Sequence, residues 1–158
     1  MAFFNPTIIL LLSALPVIIG FLLILLRDYL IERKLKRNKD EYLKILLGAI
    51  LDLKISDGKI SEENLQSMLK ALEKLPKHRL IKNTIKMIKK YPLGIEDAFE
   101  LKFKYTLPIL LQYFAVMTLI EPSIGSIVQR NFNRFRHDLD LNSFINNVIG
   151  EIMVLLSA

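Results

Sequence analysis

The chain has no cysteine and no tryptophan, and only two histidines, six glycines and six prolines among 158 residues. Without cysteine there is no disulfide framework, thiolate zinc site, iron–sulfur cluster or cysteine nucleophile. His78 and His137 stand 59 residues apart with no metal-ligand partner at helical spacing. His78 lies between Lys77 and Arg79 and His137 follows Arg136, which reads as surface placement for both. The glycine-rich phosphate and dinucleotide loops, the G-x-S-x-G elbow and the H-E-x-x-H helix are all missing. No serine, acid and histidine cluster as a nucleophile with its base. The expectation is a non-catalytic protein with no small-molecule substrate.

What is present is unevenly arranged. Hydrophobic residues make up 52% and charged residues 24% of the chain, with a mean hydropathy of +0.35. That is too apolar for an ordinary soluble domain, too polar for a polytopic membrane protein, and incompatible with intrinsic disorder. Residues 7–26 form a run of twenty without a single charge. As a helix this run is about 30 Å long, the thickness of a bilayer's hydrocarbon core. Asn5-Pro6 precedes it as cap and first helical residue. Pro16 and Gly20 inside it are tolerated in membrane helices. A cleaved signal peptide fits poorly, because residues 1–5 carry no basic side chain and Ile24-Leu25-Leu26-Arg27 offers no small-residue cleavage site.

Residues 27–39 hold Arg27, Arg33, Lys34, Lys36, Arg37 and Lys39 against Asp28 and Glu32, a local net charge of +4. Basic flanks stay on the cytoplasmic side, so a single-pass topology with the N-terminus outside and the rest inside is expected. Arg33, Lys34, Lys36 and Arg37 then face the anionic leaflet, each worth roughly 1 kcal/mol there. The organisation read from the chain is an anchor over residues 1–26, a basic juxtamembrane segment over 27–39 and a helical domain over 40–158.

Beyond residue 39 the periodicity is helical, with no alternating strand pattern. One helix is expected over residues 40–55, broken by Ser56-Asp57-Gly58-Lys59. Ser61 then caps a second, with Glu62 and Glu63 in its first turn and Ile60 and Leu65 as a hydrophobic staple. Residues 77–90 carry six lysines and arginines and no acid. Lys82, Lys86, Lys89 and Lys90 on that segment are candidate contacts for a membrane surface or an acidic partner. Nucleic acid is not expected, since no aromatic residue interleaves with the charges before Tyr91. A helix is expected over residues 95–105, and Pro108 to start another, because mid-helix proline costs about 3 kcal/mol. The apolar helix over 108–119 is short for a span and reads as a buried centre. A linker over residues 138–142 then leads to a last helix from Ser143.

A shift of 64 residues lays Ile45-Leu46-Leu47 on Ile109-Leu110-Leu111, Asp57 on Glu121, Ile60 on Ile124, Met68 on Phe132 and Leu75 on Leu139. Each unit reads as an apolar helix, an acidic turn and an amphipathic helix. Two such pairs packed face to face make one bundle, so the fold class expected is all-α.

The stretch ILLGAILDLKISDGKISEENLQSMLKAL, with Asp57-Gly58 followed by Ser61, Glu62 and Glu63, resembles the TerB-like (tellurite-resistance B) family. The second acidic turn, Glu121-Pro122-Ser123-Ile124, keeps one acid of that family's pattern and lacks its Asp-Gly. The resemblance implies an all-helical domain linked to membrane-associated stress responses. It also implies that Asp57, Glu62 or Glu63, and Glu121 hold a divalent cation such as calcium. The same residues read as a helix stop and a complement to the helix dipole, and the degenerate second turn favours that reading. An EF-hand is excluded, since Gly58 at loop position six puts Leu53, Ile55 and Asn64 where acids are required. The functions expected are a membrane-anchored scaffold or regulatory module, an accessory subunit of a larger membrane complex, or a cation sensor. Partners are then the lipid bilayer and other membrane proteins.

Overall fold

The computed structural model describes residues 6–157; Asn5, the expected cap, lies outside them. Helix α1 runs unbroken from Pro6 to Arg37, 32 residues, about 48 Å at the helical rise. Pro16 sits inside it without ending it. The helix is long and apolar enough to cross a membrane, and its large side chains from Ile8 to Leu26 lie outside the protein core. Only the far end of α1 joins the core, through Leu35, which is 0% exposed, with Ile31 packed beside it. Residues 27–37 of the basic segment continue α1 as its last turns, and Lys39 opens the next helix.

Among the described residues the fold is all-α apart from one small hairpin. Helix α2 spans Lys39–Gly48 and stops seven residues short of the expected end. Beyond Gly48 the chain tightens into i→i+3 turns, Ile50 N–H to Leu47 O and Leu53 N–H to Ile50 O, both 3.1 Å. These turns keep Ile50 and Leu53 buried while the backbone changes direction. Strands β1 (Ile55–Ser56) and β2 (Lys59–Ile60) then pair antiparallel, Ile55 opposite Ile60 and Ser56 opposite Lys59. Asp57 and Gly58 between them have φ of 52° and 74°. Positive φ at both central residues is what a primed two-residue hairpin turn requires, and Asp-Gly is a sequence that supplies it. The expected helix break is a hairpin.

Helix α3 (Glu62–Glu73) opens as expected, with the Ser61 hydroxyl accepting from Asn64 N–H at 3.2 Å and both staple residues buried. Helix α4 covers Arg79–Lys89. A short α5 (Ala98–Glu100) runs without a break through a π-helical stretch, Leu101–Thr106, into α6, Leu107–Ile120. Pro108 does not start a separate helix. Leu107 N–H bonds back to Lys102 O, a five-residue step, and this wider turn admits the proline ring where a regular α-turn would clash. The continuous helix is long and apolar enough to cross a membrane, yet α6 is the centre of the domain. Ile109, Leu110, Tyr113, Phe114, Val116 and Met117 are all buried, and α1, α2, α4 and α7 pack around it. Tyr113 donates from its hydroxyl to Leu46 O on α2.

Helices α7 (Ser123–Asp138) and α8 (Leu141–Ser157) form the closing pair. The expected linker shrinks to Leu139 and Asp140. Leu139 turns the chain in the left-handed region at φ 56°, and Asp140 caps α8 by accepting from Ser143 N–H at 3.2 Å and Ser143 hydroxyl at 2.8 Å. Phe132 and Phe135 of α7, Phe144 of α8 and Phe114 of α6 join in a chain of ring contacts 5.7–6.2 Å between centroids.

Candidate functional site

Beside its apolar seat at Leu35, α1 also passes the start of α4, and that contact is polar. His78 is the N-cap of α4, its Nδ1 accepting from Leu80 N–H at 3.0 Å. With Nδ1 occupied as an acceptor, the ring proton of neutral His78 sits on Nε2, which faces Glu32 Oε1 on α1 at 3.2 Å. Beside it Arg79 approaches Asp28 at 3.9 Å. His78 is 6% exposed, so its expected surface placement is corrected. Its flanking lysine and arginine point outward while the cap position turns the ring in. His137 is exposed, as expected.

The same joint frames a cleft of about 240 Å³ between α1 and α4. Arg27, Lys77, Arg79, Lys82 and Lys86 line it with one acid, Asp28. Among the described residues the only ion pair in this set is Arg79 with Asp28. Ile24, the last wall residue on the apolar side, belongs to the uncharged run of α1. Sequence reasoning singled out Lys82 and Lys86 of this group, and missed Arg27, Lys77 and Arg79 as their partners because they come together only in the fold. Arg33, Lys34, Lys36 and Arg37 on α1, and Lys89 and Lys90 after the cleft, are exposed and lie outside it.

The residues implied as cation ligands are divided. Asp57 and Glu62 line a cavity of about 440 Å³ under the hairpin, together with Glu96, but Lys54 and Lys59 share its wall. Glu63 is exposed on α3. Glu121 is held elsewhere by Lys39 at 3.1 Å and by the Ser123 hydroxyl at 2.9 Å. The Ser123 hydrogen bond first, then Lys39, lower its carboxyl below the ordinary glutamate range. Among the described residues no three Asp, Glu or His side chains come together as a metal-holding group.

What fixes the hairpin is a buried chain of hydrogen bonds. Ile60 N–H donates to Tyr91 Oη at 3.0 Å, and Tyr91 hydroxyl pairs with Thr106 Oγ1 at 2.7 Å. Thr106 in turn donates to Gly58 O. From the other side Asn142 takes both backbone groups of Ile55, accepting its N–H at 2.8 Å and donating to its carbonyl at 2.9 Å. Every polar group here is matched within the protein, which describes a structural clasp. Comparison with family models, curated proteins and solved structures finds no match to this chain.

Proposed function

We infer that this chain is a single-pass membrane protein whose helical domain sits on the cytoplasmic face and acts without catalysis, as a scaffold or regulatory module in a membrane stress response. The observation that carries the reading is the continuity of α1, apolar and outside the core up to Leu26 and buried in it at Leu35. A helix shared by span and domain holds the domain at a set height and rotation over the bilayer. Such a constraint suits a protein that presents a surface. Retention of α1 rather than its cleavage is favoured by the hydrogen bond of Glu32 to His78 and the ion pair of Asp28 with Arg79. The TerB-like reading, with its two pseudo-repeated helix pairs, draws on α2 and α3 joined through the Asp57 turn and α6 and α7 joined through Glu121-Pro122.

A second reading, an accessory subunit of a larger membrane complex, is favoured by apolar surface without a partner. The end of α8 leaves Met153 49% and Val154 70% exposed, and an apolar groove of about 350 Å³ runs between α6 and α7. Gentle-detergent purification from the native membrane, with native sizing and identification of co-purifying chains, separates the two. The regulatory reading expects a small species with substoichiometric partners. A large stoichiometric assembly overturns it in favour of the accessory subunit.

A further inference from the structure

We propose that the cleft between α1 and α4 is a binding site for the phosphate of an anionic phospholipid headgroup. The proposal rests on the reading of α1 as a membrane span with its basic end toward the anionic leaflet, and goes beyond it by assigning a site. Five cations, Arg27, Lys77, Arg79, Lys82 and Lys86, converge on about 240 Å³ with Asp28 as the only acid. Only Arg79 has a counter-charge among the described residues, so the cleft keeps a net charge of +4. Fixed cations gathered around one cavity repel one another, and an anion seated among them relieves that repulsion. The site's height selects which anion. Ile24 and Arg27, on successive turns of α1, straddle the end of its uncharged run, where a bilayer's acyl region gives way to phosphates. A lipid whose chains lie along residues 20–24 brings its phosphate to the cleft without leaving the leaflet. The two elements also divide the work: α1 sets the depth, and α4, which has no acid between residues 77 and 90, supplies the charge. Headgroup binding here ties α4 to the bilayer and adds a second point of attachment to the one α1 provides.

The test uses the full chain in detergent, titrated with phosphatidylglycerol, phosphatidylcholine or inorganic phosphate and read by native mass spectrometry. Phosphatidylglycerol is expected to bind at least about tenfold more tightly than phosphatidylcholine. The double variant K82Q/K86Q should lose about thirtyfold of that affinity, from two interfacial charges worth roughly 1 kcal/mol each. K89Q/K90Q removes the same charge at the C-terminal end of α4, outside the cleft, and should retain it. Equal binding of the two lipids overturns the proposal, as does equal loss in both double variants, which marks non-specific charge. Inorganic phosphate binding as tightly as the anionic lipid overturns the lipid assignment. Extraction of the wild-type chain from membranes by alkaline carbonate removes the span reading and the proposal with it. Firm membrane retention without lipid selectivity removes the proposal alone.

Discussion

His78 does two jobs with two nitrogens, capping α4 with Nδ1 and meeting Glu32 of α1 with Nε2. His78→Asn keeps a capping side chain and loses the reach to Glu32, whereas His78→Ala loses both. The alanine variant should cost about 1 kcal/mol more than the asparagine, the usual worth of an N-cap, in denaturant midpoints. Gly58 is constrained from two sides, by its φ of 74° and by space, since an added Cβ would lie 2.4 Å from Ala98 O. Gly58→Ala should therefore lower the thermal midpoint far more than alanine at Gly94, where a Cβ meets nothing within 4 Å. Tyr91→Phe leaves Ile60 N–H and Thr106 without their shared partner, at a cost of about 1–3 kcal/mol. Acid acts on other residues. Glu151 is held below the ordinary glutamate range by the Asn131 amide first and then by Arg130, and Glu121 and Asp140 are lowered by their serine neighbours. A lowered carboxyl stabilises the fold above its unfolded value and loses that contribution as pH falls through the folded one. Stability should fall below the ordinary carboxylate range, and Glu151→Gln should make the acid limb shallower in denaturation curves.

At the scale of elements, the joint between α1 and the domain is held by the buried Leu35 with Ile31 beside it, by the His78–Glu32 hydrogen bond and by the Arg79–Asp28 ion pair. Leu35→Ala should cost about 2–5 kcal/mol, as core truncations do. It should also open the backbone over residues 33–38 to protease in membrane preparations, while cleavage elsewhere in the domain stays low. Helix α3 was legible because it has an apolar face and a local cap, properties carried within a few residues. The hairpin was not, although Asp57-Gly58 is the dipeptide a primed turn uses. Two-residue strands leave no alternation to read, and the side chains that hold the pair, Asn142 on Ile55 and Tyr91 on Ile60, come from 87 and 31 residues away. Pro108 misled for a related reason. A proline penalty assumes a regular α-turn, and the π-helical stretch before it removes the clash.

For the whole molecule, the consequence of a shared helix is mechanical. A helix followed by a flexible linker lets a domain swing, whereas α1 carries its register straight into the core. If the apolar end of α8 docks on a partner subunit, Val154→Lys should shift the native-size profile to the free species without altering the unfolding midpoint. An unchanged profile together with a large assembly would place the contact elsewhere. The helical class and the apolar N-terminal helix were fixed by sequence alone, because hydrophobic periodicity and an uncharged run of bilayer length act locally and need no partner to be read. The burial of His78, the clasp around the hairpin and the union of Arg27 with Lys77, Arg79, Lys82 and Lys86 were decided only by tertiary structure. These features depend on which faces of distant helices meet, and packing around α6 settles that.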